Sequence, residues 1–428
     1  MNRFSHHAAR ILAYAAIILF CLLPIHARAG ELWTSADGGN SVFLNPTLKL
    51  TGLATRTHYD PTAGQRWQST GLARLRLNLS GRVGDGWDWE LAYEQYGQAI
   101  YNEQAGNAGA AFLPDTGRSF YRIKPLNWQI AEDNDGVWRH EIDRALVAYH
   151  ADWGEVRAGR QAIGLGRGAV FSAVDLFAPF APTEVDREWR RGVDAIRVEK
   201  YLTPTQSVEA LAVFGESIDE SAFMGRWRGY VRNVDASLLA GRRSRDWLVA
   251  GVASAAVRDA EVHAEAALFK LDTPWPDGAL FGDDDLVVKL LIGSSYTFDW
   301  GNGVTVMGEY HYSGFGVRDT DELSAALADE QFQKRLLRGD TQILGQHGVA
   351  GRVSYQFGMD WTTDLLVLIN PVDGSGLVSP TAVYTLSDHI NLTASLFIPW
   401  GASPENGNLQ SEYGATPATL YLQLSMYY

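Results

Sequence analysis

Cysteine is nearly absent. The single one, Cys21, lies within the first 29 residues, so beyond them there is no disulfide and no thiol chemistry. Long apolar runs are also missing. Hydrophobic residues make up 46% of the chain, yet after residue 29 no stretch reaches the ~18 apolar residues that mark a spanning helix. Such a chain crosses a membrane only as a closed barrel, because lipid cannot satisfy an open sheet edge. Lysine is scarce: Lys49, Lys124, Lys200, Lys270, Lys289 and Lys334 are the only ones among 36 basic residues. The formal net charge is −14, which opposes nucleic-acid binding as a general role. No nucleophile elbow, phosphate-cradling glycine loop or paired metal motif occurs, so no catalytic residue, metal or cofactor is expected. Gly164-Leu165-Gly166-Arg167-Gly168 follows a strand pattern but opens no helix pattern.

What is present begins with a leader. Arg3 and Arg10 form a basic start, Ile11 to Leu23 an apolar stretch, and Ala27-Arg28-Ala29 a small-residue cleavage site. Residues 1–29 therefore read as a signal peptide and 30–428 as a single domain. Removing the leader takes away three arginines and no acid, which moves the charge to −17.

The stretch from Thr70 to Tyr96 sets the pattern for the rest. Ala73, Leu75, Leu77, Leu79 and Val83 alternate with Arg74, Arg76, Asn78, Ser80 and Arg82. After the turn Gly84-Asp85-Gly86, Trp87, Trp89, Leu91 and Tyr93 alternate with Asp88, Glu90, Ala92 and Glu94. A period of two predicts an antiparallel hairpin with one apolar and one charged face. Folded about Asp85, it sets Arg82 opposite Asp88 and Arg76 opposite Glu94.

The pattern recurs from Ser41–Arg56 to Pro417–Tyr428. It predicts an all-β, transmembrane, antiparallel up-and-down barrel of about eighteen strands, with sixteen as the alternative. Eight short turns alternate with nine longer connections, as an outer-membrane barrel requires. The long connections include 97–139, 165–190 and 315–345, and the first and third of these are candidates to plug the lumen. Residues 319–342 predict a helix on the rim or in the mouth, capped by Asp319 or Thr320. Trp87, Trp89, Trp153, Tyr201, Phe298, Trp300, Phe357, Trp361 and Tyr428 all adjoin short turns, where an aromatic girdle belongs. The last strand, with Leu420, Leu422, Leu424, Met426 and Tyr428 on one face, resembles the C-terminal signal read by the barrel assembly machinery.

Arg74, Arg76, Arg82, Arg160, Arg167, Arg191, Arg197, Arg226 and Arg228 fall at inward or loop-base positions. Their guanidinium forks suit anions, so they are the candidate pore-lining and anion-binding set. The competing reading is a set of structural ladders with the facing carboxylates. His263 with Glu265 and Glu309 with His311, separated by the Lys289 strand, read as a structural ladder rather than acid–base material. Asp283-Asp284-Asp285 reads as a solvated loop.

Gly159-Arg160-Gln161, Gly164 to Gly168, Asp175-Leu176-Phe177 and Arg191-Gly192-Val193-Asp194-Ala195-Ile196-Arg197 together resemble alginate-export-type and porin-like outer-membrane barrels of Gram-negative bacteria. The resemblance implies an eighteen-stranded barrel with a basic lumen conducting a polyuronate, with Arg160, Arg191 and Arg197 as the matching residues. The expectation is a passive outer-membrane channel for hydrophilic, anionic solute or polysaccharide. Its partners would be outer-membrane lipid, the solute and the assembly machinery. The alternatives are a docking barrel of an export assembly and an outer-membrane enzyme using the His263/Glu309 region.

Overall fold

The computed structural model describes residues 30–56, 67–101, 112–113, 120–133, 136–275 and 285–428. The leader, most of the 102–119 connection and Asp283-Asp284 lie outside the described residues. Twenty strands are described. They run β1 (Gly30–Thr34), β2 (Asn40–Arg56), β3 (Trp67–Val83), β4 (Trp87–Tyr101), β5 (Asn127–Asp133), β6 (Gly136–Ala151) and β7 (Gly154–Gln161). Then come β8 (Val193–Thr203), β9 (Gln206–Phe214), β10 (Ala222–Val231), β11 (Val234–Arg243), β12 (Asp246–Val257) and β13 (Ala260–Lys270). The rest are β14 (Leu286–Phe298), β15 (Val304–Ser313), β16 (His347–Phe357), β17 (Trp361–Ile369), β18 (Gly376–Ser387), β19 (Ile390–Trp400) and β20 (Ala418–Tyr427).

Eighteen of these pair antiparallel with their neighbours, and β20 closes the ring on β2, from Thr47 opposite Tyr427 to Arg56 opposite Ala418. Closure removes every free edge from the wall. The two extra strands are patches on that wall. β1 pairs with Ser41–Leu44 of β2, beyond the end of β20, and β5 pairs with the start of β6 beyond the end of β7. Neither is a full wall strand, which is why neither shows the long alternation of the others.

The register is the one the alternation dictates. Arg82 faces Asp88 and Arg76 faces Glu94 across β3–β4. On the outward face Leu238, Val249, Leu268, Ile292 and Leu422 are exposed. On the inward face Arg74, Glu94, Lys49 and Gln423 are buried. Trp87, Trp153, Tyr201, Trp300, Phe357, Trp361 and Tyr428 form an exposed aromatic band at the short-turn end, where Trp361 stacks on Tyr384 at 4.5 Å. The Thr47–Tyr427 end of the ring-closing pair lies at this same end.

The strict alternation of short and long connections has one exception. Arg243 and Asp246 are joined at the long-loop end by two residues, with Ser244 in the left-handed region at φ 55. The expected single helix is two. Leu323–Ala328 and Glu330–Leu337 are separated at Asp329, whose side chain accepts from the Phe332 amide and caps the second. Asp319 makes no side-chain capping bond; it precedes a 3-10 turn, Thr320–Glu322.

Candidate functional site

The residues that fill the barrel interior from one connection belong to 162–192, between β7 and β8. This connection folds into the barrel, where its amides end on wall side chains of β13 and β15. Val170, Phe171, Ala173, Val174, Leu176 and Phe177 are almost fully buried inside the barrel. That burial follows from composition. A surface loop with so many large apolar side chains would expose them to water at roughly 25 cal/mol per Å².

Two wall carboxylates hold the first half of the loop. Glu265 on β13 accepts from the amides of Arg167, Gly168 (2.9 Å), Ala173 (2.7 Å) and Val174 (3.0 Å), and from the Ser172 hydroxyl (2.6 Å). Glu309 on β15 accepts from the amides of Ala169 (2.5 Å), Val170 (3.0 Å) and Phe171 (3.1 Å). The ladder expected through Lys289 is not the one formed. Gly293 stands opposite both His263 and Glu309, and a Cβ there would lie 2.3 Å from His263 Nε2. The missing side chain lets His263 reach Glu309 directly at 3.1 Å. Lys289 lies further along β14, opposite Ala267 and Ser313. The group is therefore a docking post: its carboxylate oxygens are occupied by loop donors.

The second half of the loop is tied to the opposite wall. Asp186 accepts from Lys49 (2.6 Å) and Arg74 (3.0 Å), and Glu188 lies 2.5 Å from Lys49. Asp143, a bulge residue of β6, takes Arg76 (2.9 Å), Arg122 (3.1 Å) and the Gly192 amide (2.9 Å). Trp189 covers these cations, 4.1 Å from Lys49 and 5.0 Å from Arg76. Within the loop, Arg187 donates to the carbonyls of Ala169 (2.7 Å), Ala181 (3.1 Å), Pro182 (2.8 Å) and Glu184 (3.1 Å). From outside, Gln342 accepts from the Ser172 amide (2.7 Å) and donates to the Phe180 carbonyl (2.8 Å). Asp340 gathers Arg243, Arg335 and Arg338. Burial would raise its carboxyl, but the three guanidiniums outweigh burial and hold it well below the usual range.

The nine candidate arginines separate into groups. Arg74 and Arg76 point inward and are spent on Glu94, Asp186 and Asp143. Arg82 is inward and exposed near the short turns, 3.5 Å from Asp88. Arg197 and Arg226 converge on Glu209 at 2.5 and 3.7 Å, and Arg228 meets Glu199 at 2.8 Å. Arg167 pairs with Asp235, and Arg191, a loop residue rather than a strand residue, lies 3.4 Å from Glu141. Arg160 is not in the lumen. It pairs with Ala145, which pairs with exposed Leu91, so it belongs to the outward set. There it is buried against Asp194 (2.7 Å) and the carbonyls of Pro125 and Ile142 (both 2.9 Å). Arg157 takes the inward position on β7, opposite buried Ala148.

A cavity of about 390 Å³ runs between the loop and the wall from β16 to β20. Glu184, Asp186, Arg187 and Glu188 line its loop side; Thr381, Asn391, Thr393, Gln423 and Ser425 line its wall side. Reading for charge alone missed this neutral stretch of β18–β20, which Arg352 and Asp364 flank on one side and Lys49 on the other. At the long-loop end, inward Leu53, Leu368, Leu377, Phe397 and Tyr421 join the buried apolar cluster with Phe112, Leu113 and Tyr413. Phe112 stacks on Phe397 at 4.0 Å.

Two loop carboxyls two residues apart are driven in opposite directions. Burial would raise Asp186, but Lys49 and Arg74 outweigh it and lower it. Burial pushes Glu184 up to about 7, offset only in part by the Ala181 amide and Arg187 and reinforced by Asp186. Protonated Glu184 thus favours the packed loop at acid pH, and that contribution is lost as pH rises through about 7. In a lumen that conducts ions, the cation-to-anion permeability ratio should therefore rise between about pH 5.5 and 8.5. Glu184→Gln should flatten the rise in reversal-potential measurements; an unchanged pH profile in that variant would assign the dependence elsewhere.

No family model and no curated relative matches the chain. Among solved structures, Acinetobacter baumannii OccAB1 aligns with a TM-score of 0.51 and 11% identity over 94% of this chain and 99% of that one. Acinetobacter baumannii OccAB4 aligns with a TM-score of 0.51 and 9% identity over 90% and 98%. What these proteins share with this chain is the architecture: a closed, porin-like antiparallel β-barrel.

Proposed function

We propose that this chain is a passive outer-membrane channel for small hydrophilic solutes. The observation that carries the proposal is the loop 162–192, folded into a closed eighteen-stranded barrel so as to leave a polar cavity along β16–β20. A loop that narrows an aqueous lumen sets a size limit without closing the wall. The exposed aromatic band and the outward Leu and Val surface suit a bilayer. A polyuronate conduit needs a run of cations free of carboxylates. Here the three arginines matching the exporter pattern are paired, Arg160 with Asp194, Arg191 with Glu141 and Arg197 with Glu209. That favours small solutes over alginate.

Anion preference, where it exists, rests on Arg197, Arg226 and Arg228 on β8–β10. Such partly exposed pairs are individually weak and screened within ~8–10 Å at physiological salt. Arg226→Gln with Arg228→Gln should lower the anion-to-cation permeability ratio about twofold at low salt, shrinking at high salt. Reversal potentials in planar bilayers under a salt gradient measure this; an unchanged ratio would make the strip purely structural.

The apolar closure at Phe112, Phe397 and Tyr413 favours a second reading, a docking barrel sealed by its own loops. Purified protein that inserts into bilayers yet never conducts KCl would support that reading and end the channel proposal.

A further inference from the structure

We propose that the neutral wall of the constriction cavity is a subsite for small, uncharged polyhydroxylated solutes, sugars or polyols. This rests on the channel reading and names its substrate class.

The strand register builds a grid of hydroxyl and amide groups. Thr393 pairs with Gln423, which pairs with Thr51; Asn391 pairs with Ser425, which pairs with Lys49. Neighbouring strands stand ~4.8 Å apart, and inward side chains recur every ~6.7 Å along a strand. The polar groups are thus spaced on the scale of one sugar ring. A hydroxyl both donates and accepts, and Thr, Ser, Asn and Gln offer both functions. Gln423 Nε2 donates to Thr51 Oγ1 at 3.0 Å, which orients its amide and keeps the wall ordered. Across the cavity the loop presents the acceptors Glu184, Asp186 and Glu188.

The charges in this cavity argue against ionic solutes. Its cations are engaged: Lys49 by Asp186 and Glu188, Arg352 by Asp364 at 2.9 Å, and Arg187 by four carbonyls. A passing anion finds no cation without a partner and must face the loop acids. A passing cation finds Asp186, Glu188 and Asp364 already paired. Glu184 is pushed up to about 7, which reduces its charge near neutrality. Hydrogen bonding to neutral groups is the recognition the cavity leaves available.

The test uses full-length protein in proteoliposomes and in planar bilayers. Swelling rates are compared for sorbitol, sodium succinate and lysine hydrochloride, alongside KCl conductance. Sorbitol should enter fastest. Thr393→Val with Gln423→Leu removes polar groups without changing charge. It should slow sorbitol entry about tenfold, the equivalent of one to two neutral hydrogen bonds, and leave KCl conductance within about twofold. Thr393→Val alone, which keeps the side-chain volume, should show a smaller change in the same direction. Saturation-transfer NMR with sorbitol on detergent-solubilised protein reads binding independently of conduction: contact in the original protein, lost in the double variant. Succinate or lysine entering as fast as sorbitol would overturn the proposal. So would variants that leave the sorbitol-to-KCl ratio and the NMR contact unchanged. Absent KCl conductance with the NMR contact intact would sink the channel reading and leave the subsite standing.

Discussion

Replacing Glu265 and Glu309 together with alanine should release the inner loop and raise single-channel conductance severalfold. The reason is the number of donors they serve. Seven backbone amides, from Arg167 to Phe171 and at Ala173 and Val174, end on these two side chains. A buried amide left without an acceptor costs ~1–3 kcal/mol. Four of the seven are buried, at Val170, Phe171, Ala173 and Val174, and four such losses rival the whole stability of a marginally stable protein, so the segment must move to water. The wall loses only the His263–Glu309 contact, because the β12–β16 ladder itself is backbone to backbone. The double variant should therefore still fold as a barrel, with heat-modifiable mobility on gels. Limited proteolysis should now cut within 162–192. Each single variant should show part of the effect, since Glu309 holds the amides of 169–171 and Glu265 those on either side of them. Unchanged conductance and unchanged protease resistance in the double variant would mean that the packing of Phe171, Leu176 and Phe177 suffices to hold the loop.

That loop marks where the sequence stops being legible. The wall was readable because a strand reports its own geometry. The period of two identifies each strand, and a turn such as Gly84-Asp85-Gly86 sets its register, so Arg76 opposite Glu94 followed from spacing alone. The readings failed where geometry depends on something outside the strand. Arg157 and Arg160 are three residues apart, so one points in and the other out. A single-residue ambiguity at the strand end decided which. The direction of a long connection has no period at all. The available signal was composition: Val170, Phe171, Val174, Leu176 and Phe177 are too apolar for a loop in water. The ladder through Lys289 failed for a different reason. The residue that joins His263 to Glu309 is Gly293, which acts by having no side chain. The neutral wall of Thr393, Gln423 and Ser425 carries no charge pattern, and a search for charged sites passes over it.

Deleting Tyr427 and Tyr428 should have the largest effect of all, and it should appear in assembly rather than in stability. β20 is the strand that makes the sheet a ring, hydrogen-bonded to β19 on one side and β2 on the other. Its last rungs are the Tyr427 amide on the His389 carbonyl at 2.8 Å and the Tyr428 amide on the Pro46 carbonyl at 3.0 Å. The Tyr427 hydroxyl adds a bond to Glu188 at 2.9 Å, and exposed Tyr428 completes the aromatic band at the short-turn end. Each such bond contributes only about 1 kcal/mol net. In a finished barrel with eighteen paired strands, that loss should lower the melting temperature by a few degrees at most. The prediction rests on the proposal that the terminal aromatic residue and the alternate apolar residues before it are the signal the assembly machinery engages before any ring exists. The truncated chain should therefore accumulate in the periplasm or in aggregates, with no heat-modifiable barrel in the outer-membrane fraction. The same chain refolded from urea into detergent should regain its β-sheet circular dichroism. Tyr427→Phe separates the two roles: it removes the Glu188 contact but keeps the aromatic end, so it should assemble normally. A truncated protein that reaches the outer membrane as a heat-modifiable barrel would show that closure between β2 and β20 proceeds without a terminal signal. A truncated protein that also fails to refold in detergent would place the defect in the closing rungs themselves.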